Sequence, residues 1–139
     1  MNEVNERIKS AEKLLNLLLN SQRHYFKELK PSDLPDGLPV VYAVFDKETG
    51  EALYVGRTKN LRRRLYTNHL MGPKENARLK KYLTEDPAMS EIESMEQAKQ
   101  FLKGRCYFQY LAEFDMRRRG QIEGLLGYLL DVRYIHEEH

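Results

Sequence analysis

Two short apolar runs, each carrying a tyrosine, constrain the fold of this chain more than any other feature. Tyr42 lies in the run 40–45, Tyr54 lies in the run 52–55, and the turn-rich segment DKETGE separates them. β-Branched and aromatic residues favour strands, and a short connection that contains glycine favours a hairpin. The sequence therefore predicts two antiparallel strands that bring both tyrosines into one small sheet.

A glycine turn and an arginine-rich helix are predicted directly after the second strand. Gly56 ends the apolar run, and Thr58 is a candidate N-cap for a helix over residues 59–69. Leu61 and Leu65 lie one turn apart and form the apolar side of this helix. The arginines between them are thereby placed near the end of the tyrosine-bearing strands.

The rest of the chain is predicted to contain more helices and one further strand. An apolar stripe indicates a helix over residues 3–29, and the proline-rich segment 31–39 is a connector because proline lacks a backbone N–H. Ser94 and Gln97 form a candidate capping box at the start of a helix. The remaining predicted elements are helices over 74–83, 94–102 and 116–132 and a strand over 105–114.

The resulting order of elements, α, β, β, α, α, α, β, α, predicts an α+β fold. The hairpin and the later strand imply a small three-stranded, mainly antiparallel sheet flanked by helices, with an extra N-terminal helix. We divide the chain into an N-terminal amphipathic helix (1–30), a proline-rich connector (31–39) and a main domain (40–139).

Composition indicates a soluble protein of a reducing compartment. Hydrophobic residues make up 41% and charged residues 32% of the chain, which is typical of a globular domain. No apolar run is long enough to cross a membrane, and the polar N-terminus does not resemble a secretory signal. Cys106 is the single cysteine, so no disulfide framework can form, and we expect a cytoplasmic protein.

Charge is distributed unevenly along the chain. The formal net charge is only +2, but residues 57–81 contain nine lysines or arginines and one acid. Residues 85–96 contain five acids and no base. A local basic surface attracts polyphosphates even on a nearly neutral protein. An ordinary solvated face would show the same composition, so charge alone leaves both interpretations open.

Arginine side chains are the first candidates for binding phosphate. Arg64 follows Leu61 by almost one helical turn and should border the packed side, whereas Arg62 and Arg63 are expected to face outward. A guanidinium group offers a planar fork of donors that matches two phosphate oxygens, and it stays charged at every working pH. A lone surface arginine is usually structural, but the neighbouring tyrosines and Gly56 favour a phosphate site here.

Glu123 and His69 are further candidates for chemistry. Glu123 lies beside the apolar stripe of the last helix, where Gly124 and Gly127 each cost roughly 1 kcal/mol relative to alanine. That cost predicts that another group approaches the helix closely. A carboxylate at the edge of a packed face needs a partner, and both Mg²⁺ and an arginine from 117–119 remain open. His69 could carry a proton or could simply end its helix.

Taken together, these residues resemble the GIY-YIG endonuclease domain. VVY at 40–42 stands at the first motif of that family, YVG at 54–56 stands at the second, and RTKNLRRRL at 57–65 resembles its arginine helix. The resemblance extends over residues 39–134 and agrees with the order of elements derived above. It implies that the domain 40–139 is a metal-dependent nuclease that cuts DNA.

The resemblance also implies roles for individual residues. Tyr42 and Tyr54 would activate and position a water molecule, with His69 as a further catalytic residue. Arg64 would stabilise the negative charge that develops on the phosphate. Glu123 would hold one Mg²⁺ or Mn²⁺ ion. The implied phosphate-binding residues are Arg57, Lys59, Arg62 and Arg63.

Two other functions remain open. The chain could be a nucleic-acid-binding module that kept the fold but has weak or no activity, because Asn68 stands where the family often has His or Tyr. It could also be a protein-interaction domain that uses its leucine-rich N-terminal helix to form a homodimer or to bind a partner protein. For the endonuclease and for the binding module, the expected ligand is nucleic acid, and DNA is favoured over RNA.

Overall fold

The computed structural model describes residues 2–73 and 77–135. The predicted helix start at residue 74, together with Lys74 of the basic run, lies outside the described residues. The helices are α1 (Asn2–Leu19), the arginine helix (Arg63–Leu70), α2 (Arg78–Glu85), α3 (Met95–Arg105) and α4 (Met116–Leu129). The strands are β1 (His24–Tyr25), β2 (Val40–Asp46), β3 (Ala52–Thr58) and β4 (Cys106–Ala112).

The strands form one antiparallel sheet in the order β1-β4-β2-β3. The predicted hairpin is confirmed as β2 and β3. Tyr42 pairs with Gly56 and Val44 pairs with Tyr54, so the two tyrosines point to the same face of the sheet. The predicted α+β class is confirmed, but the prediction of three strands was wrong because β1 adds a fourth.

The N-terminal helix is shorter than its apolar periodicity predicted. It ends at Leu19 instead of continuing to residue 29. The buried amide of Gln109 donates hydrogen bonds to the carbonyls of Leu19 (3.1 Å) and Ser21 (2.9 Å). The chain then turns so that His24 pairs with Phe108 in β4, and their rings stack 5.2 Å apart. Phe108 and Gln109 lie about 85 residues further along the chain, so no local sequence pattern predicts where the helix ends.

Helices cover both faces of the sheet. The face that carries Tyr42 and Tyr54 packs against the arginine helix, α2 and α3. The opposite face packs against α1 and α4, mainly through Leu18, Ile122 and Leu126. Since α1 packs on β4 and α4, the N-terminal segment is in contact with the main sheet, and the domain boundaries at 30 and 39 stay a prediction. Within the described ranges, none of the helices combines the length and the apolar character needed to span a membrane.

The arginine helix is held at its N-terminal end by two side chains. Thr58 Oγ1 accepts a hydrogen bond from Asn60 N (3.0 Å), and Asn60 Oδ1 accepts one from Arg63 N (3.3 Å). Asn60 Oδ1 also accepts from Gly37 N (3.0 Å), which ties the connector to the helix. Capping was predicted for Thr58 alone, but the two residues share it.

The C-terminal end of the arginine helix is closed by a buried lysine. The helix is wound with i→i+5 hydrogen bonds, such as that from Met71 N to Tyr66 O (3.0 Å), so its last turn is wider than an α-helical turn. Lys80 Nζ donates to the carbonyls of Leu70 (2.8 Å) and Gly72 (2.9 Å). With both ends fixed, the directions of the side chains along this helix are fixed as well.

Candidate active site

A buried pair, Tyr42 and His69, lies where the arginine helix packs on the sheet. Tyr42 Oη is 2.5 Å from His69 Nε2, and both side chains are almost completely inaccessible to solvent. Burial lowers the pKa of His69 to about 3, and the charge of Arg64 adds to that shift. Burial also raises the pKa of Tyr42, so both groups are neutral at pH 7. Which of them donates the shared hydrogen depends on the imidazole tautomer.

Tyr54 completes an aromatic cluster with this pair. Its ring centroid lies 6.2 Å from that of Tyr42 and 5.5 Å from that of His69. Burial raises the pKa of Tyr54, while a hydrogen bond from Arg78 and its charge act in the opposite direction. Sequence reasoning counted Arg78 only as part of a basic run. Its contact with Tyr54 results from the packing of α2, and residue spacing in the sequence does not predict it.

Gly56 is a strand residue rather than the predicted turn. It lies inside β3 opposite Tyr42. A Cβ atom at this position would lie 2.5 Å from Tyr42 Cζ, so a side chain would overlap the tyrosine ring. The glycine is therefore needed for close packing of the ring, not for a change in chain direction.

Arginine and lysine side chains converge on a cleft of about 500 Å³ beside this cluster. We call it the cationic cleft; its lining includes Arg57, Lys59, Arg63, Arg64, Asn68 and Arg119. Arg64 connects the cleft to the buried pair, since its guanidinium acts to lower the pKa of the Tyr42 phenol against the larger, raising effect of burial. The Nε atom of Arg64 is buried and has no hydrogen-bond partner among the described residues.

Arg62 does not belong to the cationic cleft. Its Nε donates to the carbonyl of Leu34 in the connector (3.0 Å), so Arg62 is only partly exposed instead of facing fully outward. The connector folds back over this side of the helix, which a helical projection cannot show. Arg63 is exposed, as predicted.

Arg119 is a cleft residue that sequence reasoning missed. It is buried, and its Nη1 donates to the carbonyls of Glu113 and Phe114 (3.0 Å each). These bonds fix the loop between β4 and α4 and hold the guanidinium at the cleft wall. In the sequence, Arg119 is the last of three consecutive arginines, and nothing local distinguishes it from the other two.

Glu123 lies on α4, on the opposite side of the sheet from His69. Its Oε1 is 3.6 Å from Arg57 Nε, and both side chains are substantially exposed. Its ion-pair partner is thus Arg57 instead of one of the arginines 117–119. The Glu123 charge contributes to the raised pKa of Tyr42, after the larger effects of burial and of Tyr54. The carboxylate therefore acts on the same site from across the sheet edge.

Gly124 and Gly127, which neighbour Glu123, do not have the predicted role of allowing another group to approach the helix closely. A Cβ at Gly124 would have no atom within 4 Å, and one at Gly127 would meet only an ordinary contact at 3.9 Å. The close approach occurs instead at Gly120, where a Cβ would overlap the Arg57 guanidinium. Gly120 lets Arg57 cross α4 and reach Glu123.

The space beside Gly124 belongs to a second cleft, of about 650 Å³. We call it the tyrosine cleft; its lining includes Tyr54, Glu123, Gly124, Tyr128, Asp131 and Tyr134. Arg57 lines the cationic cleft and Glu123 lines the tyrosine cleft, so their ion pair stands between the two. The two clefts are neighbours on the molecular surface.

The donors available to a metal ion are few. Across the described residues, no group of three or more His, Cys, Asp or Glu side chains is close enough to hold an ion. Glu123 offers one carboxylate beside open space, although Arg57 competes for it. Such a donor set suits a cation that retains most of its water, as Mg²⁺ does, and not a fully protein-coordinated ion.

Comparison with known protein families places these motifs in one of them. The family model for the GIY-YIG catalytic domain matches residues 38–104, which include β2, β3 and the arginine helix. The match ends before β4 and α4, so Glu123 lies outside it. No curated protein and no solved structure is significantly similar to the chain. The chain therefore contains a domain of the GIY-YIG endonuclease superfamily.

Proposed function

We propose that this protein is a metal-dependent endonuclease that hydrolyses phosphodiester bonds in DNA in the cytoplasm. Family membership supports nuclease activity on nucleic acid. The observation that carries the proposal is the position of Arg64, which lines the cationic cleft, has a buried Nε without a partner among the described residues, and acts electrostatically on Tyr42. A phosphate in this cleft would contact the Arg64 guanidinium, next to the buried phenol–imidazole pair.

The exposed basic residues of the cleft would hold the DNA backbone. Arg57, Lys59 and Arg63 are all exposed and line the same cleft. Side chains of this kind bind phosphates without reading the base sequence, and they make binding strongly dependent on salt. Arg62 donates its Nε to Leu34 and lies outside the cleft lining, so any phosphate contact that it makes would be at the margin of this surface.

Arg64 would stabilise the transition state. Its buried Nε has no hydrogen-bond partner in the described part of the chain, and leaving a buried charged donor unpaired costs about 1–3 kcal/mol or more. An oxygen of the pentacoordinate phosphate would supply the missing acceptor. Because the negative charge is largest in the transition state, this interaction accelerates the reaction as well as binding the substrate.

Tyr42 and His69 would move a proton. When Tyr42 Oη accepts a proton from the attacking water, its own proton can pass along the 2.5 Å contact to His69 Nε2. This step requires the imidazole tautomer with a free electron pair on Nε2. Tyr54 packs against His69 and would position the water or the phosphate.

Glu123 would hold one Mg²⁺ or Mn²⁺ ion through a single carboxylate, with water and phosphate oxygens as the other ligands. Such an ion supplies Lewis-acid polarisation of a phosphate oxygen and eases departure of the 3′ oxygen. Arg57 lies 3.6 Å from the carboxylate and would have to shift toward the phosphate when the ion binds.

One observation favours the alternative of a binding module with weak or no activity. Tyr42 is completely buried, and a general base must touch the water that it activates. If the substrate does not open access to the phenol, the cationic cleft would still bind nucleic acid but the chain would not cut it.

A cleavage assay separates the two proposals. Supercoiled plasmid and labelled oligonucleotides are incubated with Mg²⁺ or Mn²⁺ and the wild-type protein, Arg64→Ala, Glu123→Gln or Tyr42→Phe. Loss of one charge-stabilising group should lower the rate about 10²- to 10³-fold. Arg7→Ala, on the exposed part of α1, is the matched arginine control and should cut like the wild type. Salt-sensitive binding without cleavage would replace the nuclease proposal with the binding module.

A further inference from the structure

The proposed chemistry uses only two residues of the tyrosine cleft, Tyr54 and Glu123. The rest of the cleft has the character of a binding site. The Tyr128 side chain is 84% exposed at its wall, and the space next to Gly124 is open. These two residues are four positions apart on α4, so they lie on the same face of the helix. The result is an aromatic surface beside an unfilled gap.

The two clefts differ in charge. Arg57, Lys59, Arg63, Arg64 and Arg119 line the cationic cleft. The described lining of the tyrosine cleft contains two acids, Glu123 and Asp131, and neither lysine nor arginine. Without a cation on Glu123, these two acids disfavour a phosphate in this cleft. Aromatic faces together with carboxylate acceptors suit a nucleobase instead, because bases have flat faces for stacking and amino groups that donate hydrogen bonds.

The positions of the clefts also match the structure of a nucleotide. Their boundary is the Arg57–Glu123 pair, whose charged atoms are 3.6 Å apart. A sugar links the phosphate and the base of a nucleotide over a short distance. An anion site and an aromatic site that share a boundary can therefore take both parts of one nucleotide.

We propose that the tyrosine cleft binds an unpaired nucleobase of the strand whose phosphate occupies the cationic cleft, with Tyr128 as the stacking surface. This proposal rests on the proposed function, since it assumes that the cationic cleft holds a nucleic-acid backbone. A base inside an intact duplex is already paired and stacked and cannot enter the cleft. The protein therefore selects substrates in which a base is free, such as a bulge or a strand end.

The test compares two DNA duplexes of one sequence in EDTA, which prevents cleavage. One duplex is fully paired, and the other carries a single-nucleotide bulge of 2-aminopurine. The wild-type protein should bind the bulged duplex more tightly and should change the 2-aminopurine fluorescence. Tyr128→Ala should weaken binding of the bulged duplex roughly 5- to 100-fold and leave binding of the paired duplex unchanged.

Two further variants distinguish stacking from general damage. Tyr128→Phe keeps the ring and should bind like the wild type. Gly124→Leu places a side chain in the open space and should reduce the preference for the bulge while the protein stays folded. Phe114→Ala is the matched control, because Phe114 is 74% exposed but lines neither cleft.

The outcomes separate this inference from the nuclease proposal. Equal affinity for both duplexes, or an equal loss on both after Tyr128→Ala, overturns the nucleobase site even if plasmid cleavage persists. Failure to bind either duplex at any salt concentration overturns the inference and the proposed function together.

Discussion

The ring of Tyr42 occupies the space that a side chain at Gly56 would fill. The two residues are cross-strand partners in the hairpin, and a Cβ at position 56 would overlap the ring. Glycine normally weakens a strand because it adds flexibility and packs nothing. Here it sets how deeply Tyr42 lies and thereby fixes the contact of the phenol with His69.

Replacing Gly56 with alanine should destabilise the fold. Tyr42 is fully buried and cannot move aside, so overpacking should reduce the free energy of unfolding by about 1–3 kcal/mol. Gly124→Ala is the matched control: it adds a methyl group in open space within α4 and should stabilise the protein by up to about 1 kcal/mol. Urea unfolding of both variants measures the difference. A Gly56→Ala protein as stable as the wild type would contradict this packing.

Protonation of His69 should make stability depend on pH. Its pKa is lowered from 6.5 to about 3 by burial, so between these values the unfolded chain binds a proton that the native protein does not. Stability is therefore fully present above pH 6.5 and decreases as the pH falls toward 3. The expected loss is about 2 kcal/mol between pH 6.5 and about pH 5. Urea unfolding across this pH range should show a smaller loss of unfolding free energy for His69→Gln than for the wild type. The same pH dependence in both proteins would show that His69 is not the group responsible.

Lys80 should stabilise the arginine helix through its hydrogen bonds. Lys80→Met leaves the carbonyls of Leu70 and Gly72 without this donor and should cost about 1–3 kcal/mol. Lys81→Met, at the exposed neighbouring position, should change stability by no more than about 0.5 kcal/mol. Thermal unfolding compares the pair. Equal melting temperatures for the two variants would show that Lys80 does not brace the helix.

Removing Arg57 should affect metal binding and DNA binding in opposite directions. Its exposed ion pair with Glu123 contributes less than about 1 kcal/mol to stability, but its positive charge competes with a cation for the carboxylate. Arg57→Gln should therefore raise the affinity for Mn²⁺ in calorimetry and weaken DNA binding.

The control for that prediction is Lys59→Gln. Lys59 lines the same cleft as Arg57, whereas the ion pair with Glu123 is made by Arg57. This variant should weaken DNA binding without increasing Mn²⁺ affinity. Unchanged Mn²⁺ affinity in Arg57→Gln would argue against Glu123 as the ligand.

The parts of the fold that depend on neighbouring residues could be predicted from the sequence. The hairpin follows from two β-rich runs around a short loop, and β2 and β3 confirm it. The capping box is confirmed, with Gln97 N donating to Ser94 Oγ (3.1 Å) and Ser94 N donating to the Gln97 side chain. The motifs around Tyr42, Tyr54 and Arg64 also identified the family, because their order and spacing lie within one stretch of chain.

Tertiary structure alone decided how these groups are arranged. The end of α1 depends on Gln109, and the direction of Arg62 depends on Leu34. The partner of Glu123 is Arg57, which lies 66 positions earlier in the chain. The sequence could nominate His69, but only packing places it against Tyr42 and removes it from water. Residue type and spacing determine which groups can react, whereas burial and long-range contacts determine their charge and their neighbours.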